Sequence, residues 1–387
     1  MRKIVLGITA RASYSRIKST LFALRKREDV NLCVVLMCSA AKRDTFGNVP
    51  TQIEIDGIHA DYVLDTLDDN DELISQIHTV TRTMGAFSEL LIKEKPDLVV
   101  AIADRYEVIS IAISASYLGI PLAHIQGGEI TGSIDEKVRH AITKLADIHC
   151  VSNLQCYNNV LRMGERKNSI YITGCPSCDL AKHVLENEED FRFDISQKYR
   201  WFGNLSTNPN GYIIVLQHAV SGEQKLLQQL TLMTLNAVTQ TQYQIYWVCP
   251  NADIGGQVIR TTVKDYITVH SKANIAVFDA IDSMDFLWLL IHSKGIVGNS
   301  SVAIRECSYL GVPAVDIGSR QRGREHCSNV IHADYSVEDI LSAMNRLENI
   351  ERVSCDVYGD GKSGERVADV LATCELNVDK KLYFEDL

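Results

Sequence analysis

No run of apolar residues in this chain approaches the ~20 that a membrane-spanning helix needs. Positive charge is not in surplus: 39 Lys and Arg stand against 49 Asp and Glu, a net charge of −10. That balance argues against a nucleic-acid partner, whose binding relies on basic side chains neutralising phosphates. It leaves room for a small phosphorylated ligand, which needs only a few local donors. The glycine-rich cradles of dinucleotides and ATP are missing. After the first strand pattern comes Thr9-Ala10-Arg11-Ala12-Ser13-Tyr14-Ser15, neither GxGxxG nor a P-loop. Cys175-Pro-Ser-Cys178 has no second pair at zinc-ribbon spacing. Internal repeats, low-complexity tracts and sustained heptads are absent. The opening IVLGITA stops at Arg11 without a cleavage site, so it reads as a first β-strand rather than a leader.

The composition present, 46% hydrophobic and 23% charged, is that of a globular enzyme. At 387 residues the chain exceeds what one core usually supports. Short apolar strands alternate with helical patterns throughout, which predicts parallel sheets covered on both faces by helices. Strands are expected near 3–8, 31–38, 97–103, 120–125, 148–152 and 169–173, then near 211–217, 243–249, 274–278, 294–298 and 312–316. Helices are expected over 70–95 and 134–147. The charged, turn-rich stretch 186–210 separates an N-terminal domain (1–190) from a C-terminal one (205–360), with 361–387 as a helix and tail packing back on the first. Eleven scattered cysteines, many inside apolar strands, fit reduced thiols in the cytoplasm.

The densest chemistry lies in His124 to Lys144, HIQGGEITGSIDEKVRHAITK. A strand runs into Gly127-Gly128 and delivers Glu129 at its carboxyl end; the strand before it ends in Asp104-Arg105. Ligands bind at such strand ends in open α/β sheets, and several carboxylates there point to proton transfer. Glu129 has no structural reason to sit in a loop flanked by glycines. Glu136 reads first as part of a capping box with Ser133. In the second half, His218 ends a strand, and strand 294–298 leads through Asn299 into Ser300-Ser301 and a helix, VAIRECSYLG. A helix N-terminus receives anions well, although serines there also read as a plain N-cap. Glu306, a carboxylate in an otherwise apolar helix, is one that a ribose diol can satisfy. Arg11 reads equally as a phosphate ligand or a surface residue. Of Arg320, Arg322 and Arg324, one is expected on the ligand and the others in solvent.

Taken in order, ITARASYSR (8–16), ADRYE (103–107), HIQGGEITGSIDEKVRHAITKLA (124–146), TGCPSCD (173–179), LQHAVSGE (216–223), CPNAD (249–253), GNSSVAIREC (298–307), GVPAVDIGSRQRGRE (311–325) and YGDGKSGERV (358–367) resemble the hydrolysing UDP-N-acetylglucosamine 2-epimerases. The branch most similar forms N-acetylmannosamine for sialic acids. The resemblance implies two Rossmann-like domains of glycosyltransferase type B facing a central cleft, no metal or nicotinamide cofactor, and a homodimer. It implies catalytic roles for Asp104, Glu129, Glu136, His218 and Arg139. It implies UDP or substrate contacts from Arg11, Ser15, Arg105, Asn251, Ser300, Ser301, Glu306 and Arg320. The chain departs from animal relatives after Asn251, where DIGGQVIRTTVKDY lacks their basic, end-product-sensing pattern. Two alternatives stay open: the same chemistry on UDP-2,4-diacetamido-2,4,6-trideoxyglucose, on the route to legionaminic acid, and a type B glycosyltransferase, which the fold and GNSS also fit.

Overall fold

The structure, a computed structural model, describes residues 1–43, 47–70, 72–131, 134–206, 208–220, 222–250 and 255–383. The chain divides into two compact units, the first built from residues 1–129, 134–179 and the segment from Tyr358 onward, the second from Leu180–Val357 with the short segment that starts at Ile130. Each is an α/β unit around one sheet.

In the first unit β1 (Arg2–Ile8), β2 (Val30–Met37), β3 (Tyr62–Leu64), β4 (Leu98–Ile102), β5 (Leu122–Ile125), β6 (Ile148–Val151) and β7 (Ile170–Ile172) form a parallel sheet. Their order is β3-β2-β1-β4-β5-β6-β7. Strand alternation divides the apolar residues between two cores. Ile4, Leu6 and Ile8 face Tyr14, Ile17 and Leu21 of the helix Arg11–Arg25 and Val367 and Leu371 of the helix Ser363–Thr373. Val5 and Val35 face Phe87, Leu90 and Leu91 of the helix Leu73–Glu94. With both faces covered, the strands read as near-continuous apolar runs. The order reverses beside β1, between β1 and β4, and in such sheets the crevice opens at that point.

The second unit repeats the plan with β8 (Phe202–Gly203), β9 (Tyr212–Leu216), β10 (Gln244–Val248), β11 (Ile275–Phe278), β12 (Ile296–Gly298), β13 (Ala314–Ile317) and β14 (Val330–Ala333). The order is β14-β13-β12-β9-β10-β11-β8, reversing between β9 and β12. β8 runs antiparallel to β11 at the edge, which the alternating pattern did not anticipate. Nor did it show β3 and β14, both short. The charged stretch after 186 packs on this unit through Phe193, Ile195, Tyr199 and Leu205.

One expectation about the thiols is corrected. Cys327 and Cys355 form a disulfide with their Cα atoms 6.4 Å apart, 28 residues apart in sequence. A pair brought together by tertiary packing leaves no spacing signal. Cys175 and Cys178 are buried and lie outside this disulfide.

The C-terminal helix is tied to the first unit by Asp179, 184 residues before it. Asp179 accepts the Ser363 N–H at 2.9 Å and the Gly364 N–H at 2.6 Å, capping the helix N-terminus from outside. Arg2 meets the other end, donating at 2.8 Å to the carbonyls of Leu371 and Cys374. An Asp179→Ala substitution should cost about 0.5–2 kcal/mol, the usual value of a cap. Denaturant unfolding checks this, and a variant as stable as wild type would remove Asp179 from the account.

Candidate active site

At the carboxyl end of β4 the backbone turns through Ala103 in a left-handed conformation (φ 61°) before presenting Asp104. Beyond β5 Gln126 does the same (φ 65°) ahead of Gly127-Gly128 and Glu129. Non-glycine residues held there cost roughly 1–3 kcal/mol each and gather at functional sites. The glycine pair is required by space. A Cβ on Gly128 would lie 2.4 Å from the Cys156 carbonyl oxygen, and one on Gly127 would lie 2.9 Å from His124 Nδ1.

His124 holds the turn. Its Nε2 lies 2.8 Å from the Ala103 carbonyl and its Nδ1 3.0 Å from Thr143 Oγ1. A carbonyl only accepts, so Nε2 carries the proton and Nδ1 accepts from the threonine. The ring is fully buried, and burial pushes its pKa down to about 3, so it stays neutral as it braces β4 against the helix Ile134–Leu145.

Arg139, on that same helix, is only 1% exposed. Its Nη2 donates to Asp104 Oδ2 and lies 3.8 Å from Glu129 Oε2; its Nη1 donates to the Glu129 carbonyl at 2.9 Å. Arg16 approaches Asp104 Oδ1 at 3.5 Å across the β1–β4 reversal. Ser152, just beyond β6, donates to Glu129 Oε1 at 2.9 Å. Asp104, Glu129 and Arg139 therefore come together in one buried cluster. The local pattern signalled neither Arg16 nor Ser152 as a member.

Arg105 is held by a further carboxylate that the sequence reading passed over. Its Nε donates at 2.6 Å to Glu107 Oε1, and Glu107 is 1% exposed. Among the described residues Glu107 Oε2 has no hydrogen-bond partner. Glu136 is one-third exposed, 3.5 Å from His140 Nε2 one helical turn on. Its expected capping partner Ser133 lies outside the described residues. Arg11 and Ser15 open the helix after β1, half-buried, with the Ser15 hydroxyl donating to the Arg11 carbonyl at 3.2 Å.

In the second unit His218 follows β9 and Asn299-Ser300-Ser301 follows β12, on the two sides of the strand-order reversal. The single helix expected after Ser301 is corrected to a 3₁₀ turn, Ser301–Ala303, and a short α-helix, Glu306–Leu310. Ser300 is the N-cap, its hydroxyl accepting the Val302 N–H at 3.3 Å, and the Ala303 and Ile304 N–H groups donate three residues back to the Ser300 and Ser301 carbonyls at 3.2 Å, the tighter 3₁₀ pattern. Arg305, 2% exposed, donates back to Ser301 Oγ and was not foreseen. Glu306 opens the short helix. Its buried Oε2 has no hydrogen-bond partner among the described residues. Arg320 donates to the Asn299 carbonyl at 3.0 Å. Arg322 is exposed and pairs with Asp334, as expected, whereas Arg324 is buried rather than solvated. Asn251 lies outside the described residues.

The His124 brace has a pH signature. Its folded pKa, about 3, lies below the ordinary value of 6.5, so the unfolded chain binds the extra proton between those limits. The stabilisation is complete above 6.5 and is lost as pH falls towards 3. His124→Phe should be less stable than wild type at pH 7 yet lose less stability between pH 7 and 5. Unfolding curves at the two pH values test it; parallel losses in both proteins would contradict the neutral brace.

The family model for UDP-N-acetylglucosamine 2-epimerase matches residues 23–372. The chain is 30% identical, over 97% of both lengths, to the UDP-N,N'-diacetylbacillosamine 2-epimerase (hydrolyzing) of Legionella pneumophila. It is 28% identical, over the full length of both, to the UDP-N-acetylglucosamine 2-epimerase of Neisseria meningitidis serogroup B. In fold it is similar to the crystal structure of the Neisseria meningitidis UDP-GlcNAc 2-epimerase bound to UDP-GlcNAc, with a TM-score of 0.79 and 16% identity, covering 95% of this chain and 99% of that one. The Methanocaldococcus jannaschii enzyme in complex with UDP-GlcNAc and UDP is similar too, with a TM-score of 0.79 at 19% identity over 96% of this chain and 99% of that one. A family match across nine-tenths of the sequence, on a fold with a buried carboxylate pair at its strand ends, has one consequence: the chain belongs to the UDP-N-acetylglucosamine 2-epimerase family.

Proposed function

We propose that the protein is a hydrolysing 2-epimerase, converting UDP-N-acetylglucosamine and water to N-acetylmannosamine and UDP for sialic-acid-type sugars. The observation that carries the reading is the buried cluster of Asp104 and Glu129 around Arg139. In the first half-reaction the carbon 1–oxygen bond to UDP breaks while a carboxylate takes the carbon 2 proton, leaving 2-acetamidoglucal. In the second, water adds its oxygen to carbon 1 and a proton returns to the opposite face of carbon 2. Two proton transfers on opposite faces call for two positioned groups, and Asp104 and Glu129 serve as the acid/base pair. Glu136, beside His140, is their partner or the water-activating group. His218 assists at the leaving group.

Departure of a diphosphate asks for donors and positive charge fixed in advance. Ser300, Ser301, Arg320, Arg11, Ser15, Arg105 and Asn251 take this role, and Glu306 takes the ribose diol. The similarity to a relative named as hydrolysing supports release of free UDP. That relative's substrate also supports a second reading, the same reaction on UDP-2,4-diacetamido-2,4,6-trideoxyglucose.

Incubation with UDP-N-acetylglucosamine in deuterium oxide, followed by NMR, should yield free UDP and N-acetylmannosamine deuterated at carbon 2. Interconversion of UDP-sugars without free UDP would overturn hydrolysis; undeuterated product would overturn elimination; faster turnover of the diacetamido sugar would favour the second reading. Glu129→Gln should lower turnover roughly 10²–10⁴-fold, the usual contribution of a general acid or base, with UDP affinity largely unchanged.

A further inference from the structure

The β12–β9 ladder ends at the pairing of Gly298 with Leu216. One residue later Asn299, fully buried, continues it with its side chain. Asn299 Oδ1 accepts the backbone N–H of His218 at 2.7 Å, and Nδ2 donates to the His218 carbonyl at 2.9 Å. The same Nδ2 lies 3.3 Å from the Tyr335 hydroxyl. The Asn299 backbone carbonyl accepts twice more, from Arg320 Nη1 at 3.0 Å and Gln321 Nε2 at 2.9 Å. One residue thus joins the loop after β9, its own loop carrying Ser300 and Ser301, and the loop after β13.

We propose that Asn299 is a positioning residue: it sets His218, Ser300-Ser301 and Arg320 in the mutual geometry that receives a nucleoside diphosphate. This rests on the assignment of those loops to UDP made above. The chemistry selects an amide. Only a neutral side chain with one acceptor and one donor on the same planar head answers both the N–H and the C=O of His218. Aspartate keeps the acceptor but turns a second oxygen on the His218 carbonyl; alanine leaves two buried backbone groups unpaired. A protonated aspartate, with an O–H in place of the N–H, restores the pair.

That difference gives a test which a merely space-filling asparagine would not pass. UDP dissociation constants are measured by calorimetry on the full chain from pH 5 to 8, for wild type, Asn299→Ala and Asn299→Asp. Among the described residues, the ionisable ones hydrogen-bonded to the position are His218, Arg320 and Tyr335, so wild type is measured alongside at each pH. Asn299→Ala should bind UDP about tenfold or more weakly at every pH, the scale of a lost buried hydrogen-bond pair. Asn299→Asp should be as weak at pH 8 and recover towards wild type at pH 5. Either variant binding UDP like wild type at pH 8 overturns the proposal, as does an Asp variant with wild-type circular dichroism that stays weak at pH 5. Failure of wild type itself to bind UDP overturns the underlying assignment and is told apart by that control.

Discussion

A guanidinium almost sealed from water is tolerable only against counter-charges, and Arg139 has two carboxylates around it. Removing one partner of such a buried group typically costs 3–5 kcal/mol, so helix, strand ends and loops are committed to one arrangement. The helix Ile134–Leu145 supplies the cation, the turn after β4 supplies Asp104, and the loop after β5 supplies both the side chain and the carbonyl of Glu129. Ser152 and Arg16 then fix the outer oxygens. An arrangement built this way is set before any ligand arrives, the condition under which fixed charges and dipoles act more strongly than water.

The rest of the fold reads as support for that placement. Left-handed Ala103 and Gln126 are unfavourable on their own and persist because the neutral His124 brace and the close pass of Gly128 over Cys156 leave no alternative. The second unit uses the same principle with neutral groups. At its strand-order reversal a buried amide replaces a ladder rung, and the loops around it carry hydroxyls, an arginine and a carboxylate with one oxygen unsatisfied among the described residues. Both units put their chemistry at the carboxyl ends of strands, where a parallel sheet gathers several loop starts within reach of one another.

Much of this was legible in the sequence wherever the signal is local. Continuous apolar strands announced two sheets, parallel but for the edge strand β8, and the glycine-flanked Glu129 stood out as a carboxylate, though its place beside Arg139 gives it a structural duty that its local sequence did not show. What escaped detection is long-range. Arg16 reaches Asp104 across 88 positions, Asp179 caps a helix 184 residues away, and Cys327 finds Cys355 only through packing. Asn299 looked like a bridge to the serines because its partners, His218 and Arg320, belong to other loops. The helix after Ser301 was misjudged for a different reason. Its apolar spacing is helical, but its first turn closes with bonds three residues back, and spacing does not separate the two kinds of turn. Glu136 stays legible mainly by resemblance, since its contact with His140 is one that any exposed helix can make.

The shared guanidinium is tested most directly by Arg139→Lys, which keeps the charge and removes the planar fork that spans Asp104 and Glu129. Turnover of UDP-N-acetylglucosamine and UDP affinity are measured on the same preparation. Misplacing the pair should lower turnover about 10²-fold or more, the known penalty for small errors of position, with UDP affinity within about threefold of wild type. A lysine variant that turns over like wild type would contradict the account, because a point charge alone would then suffice.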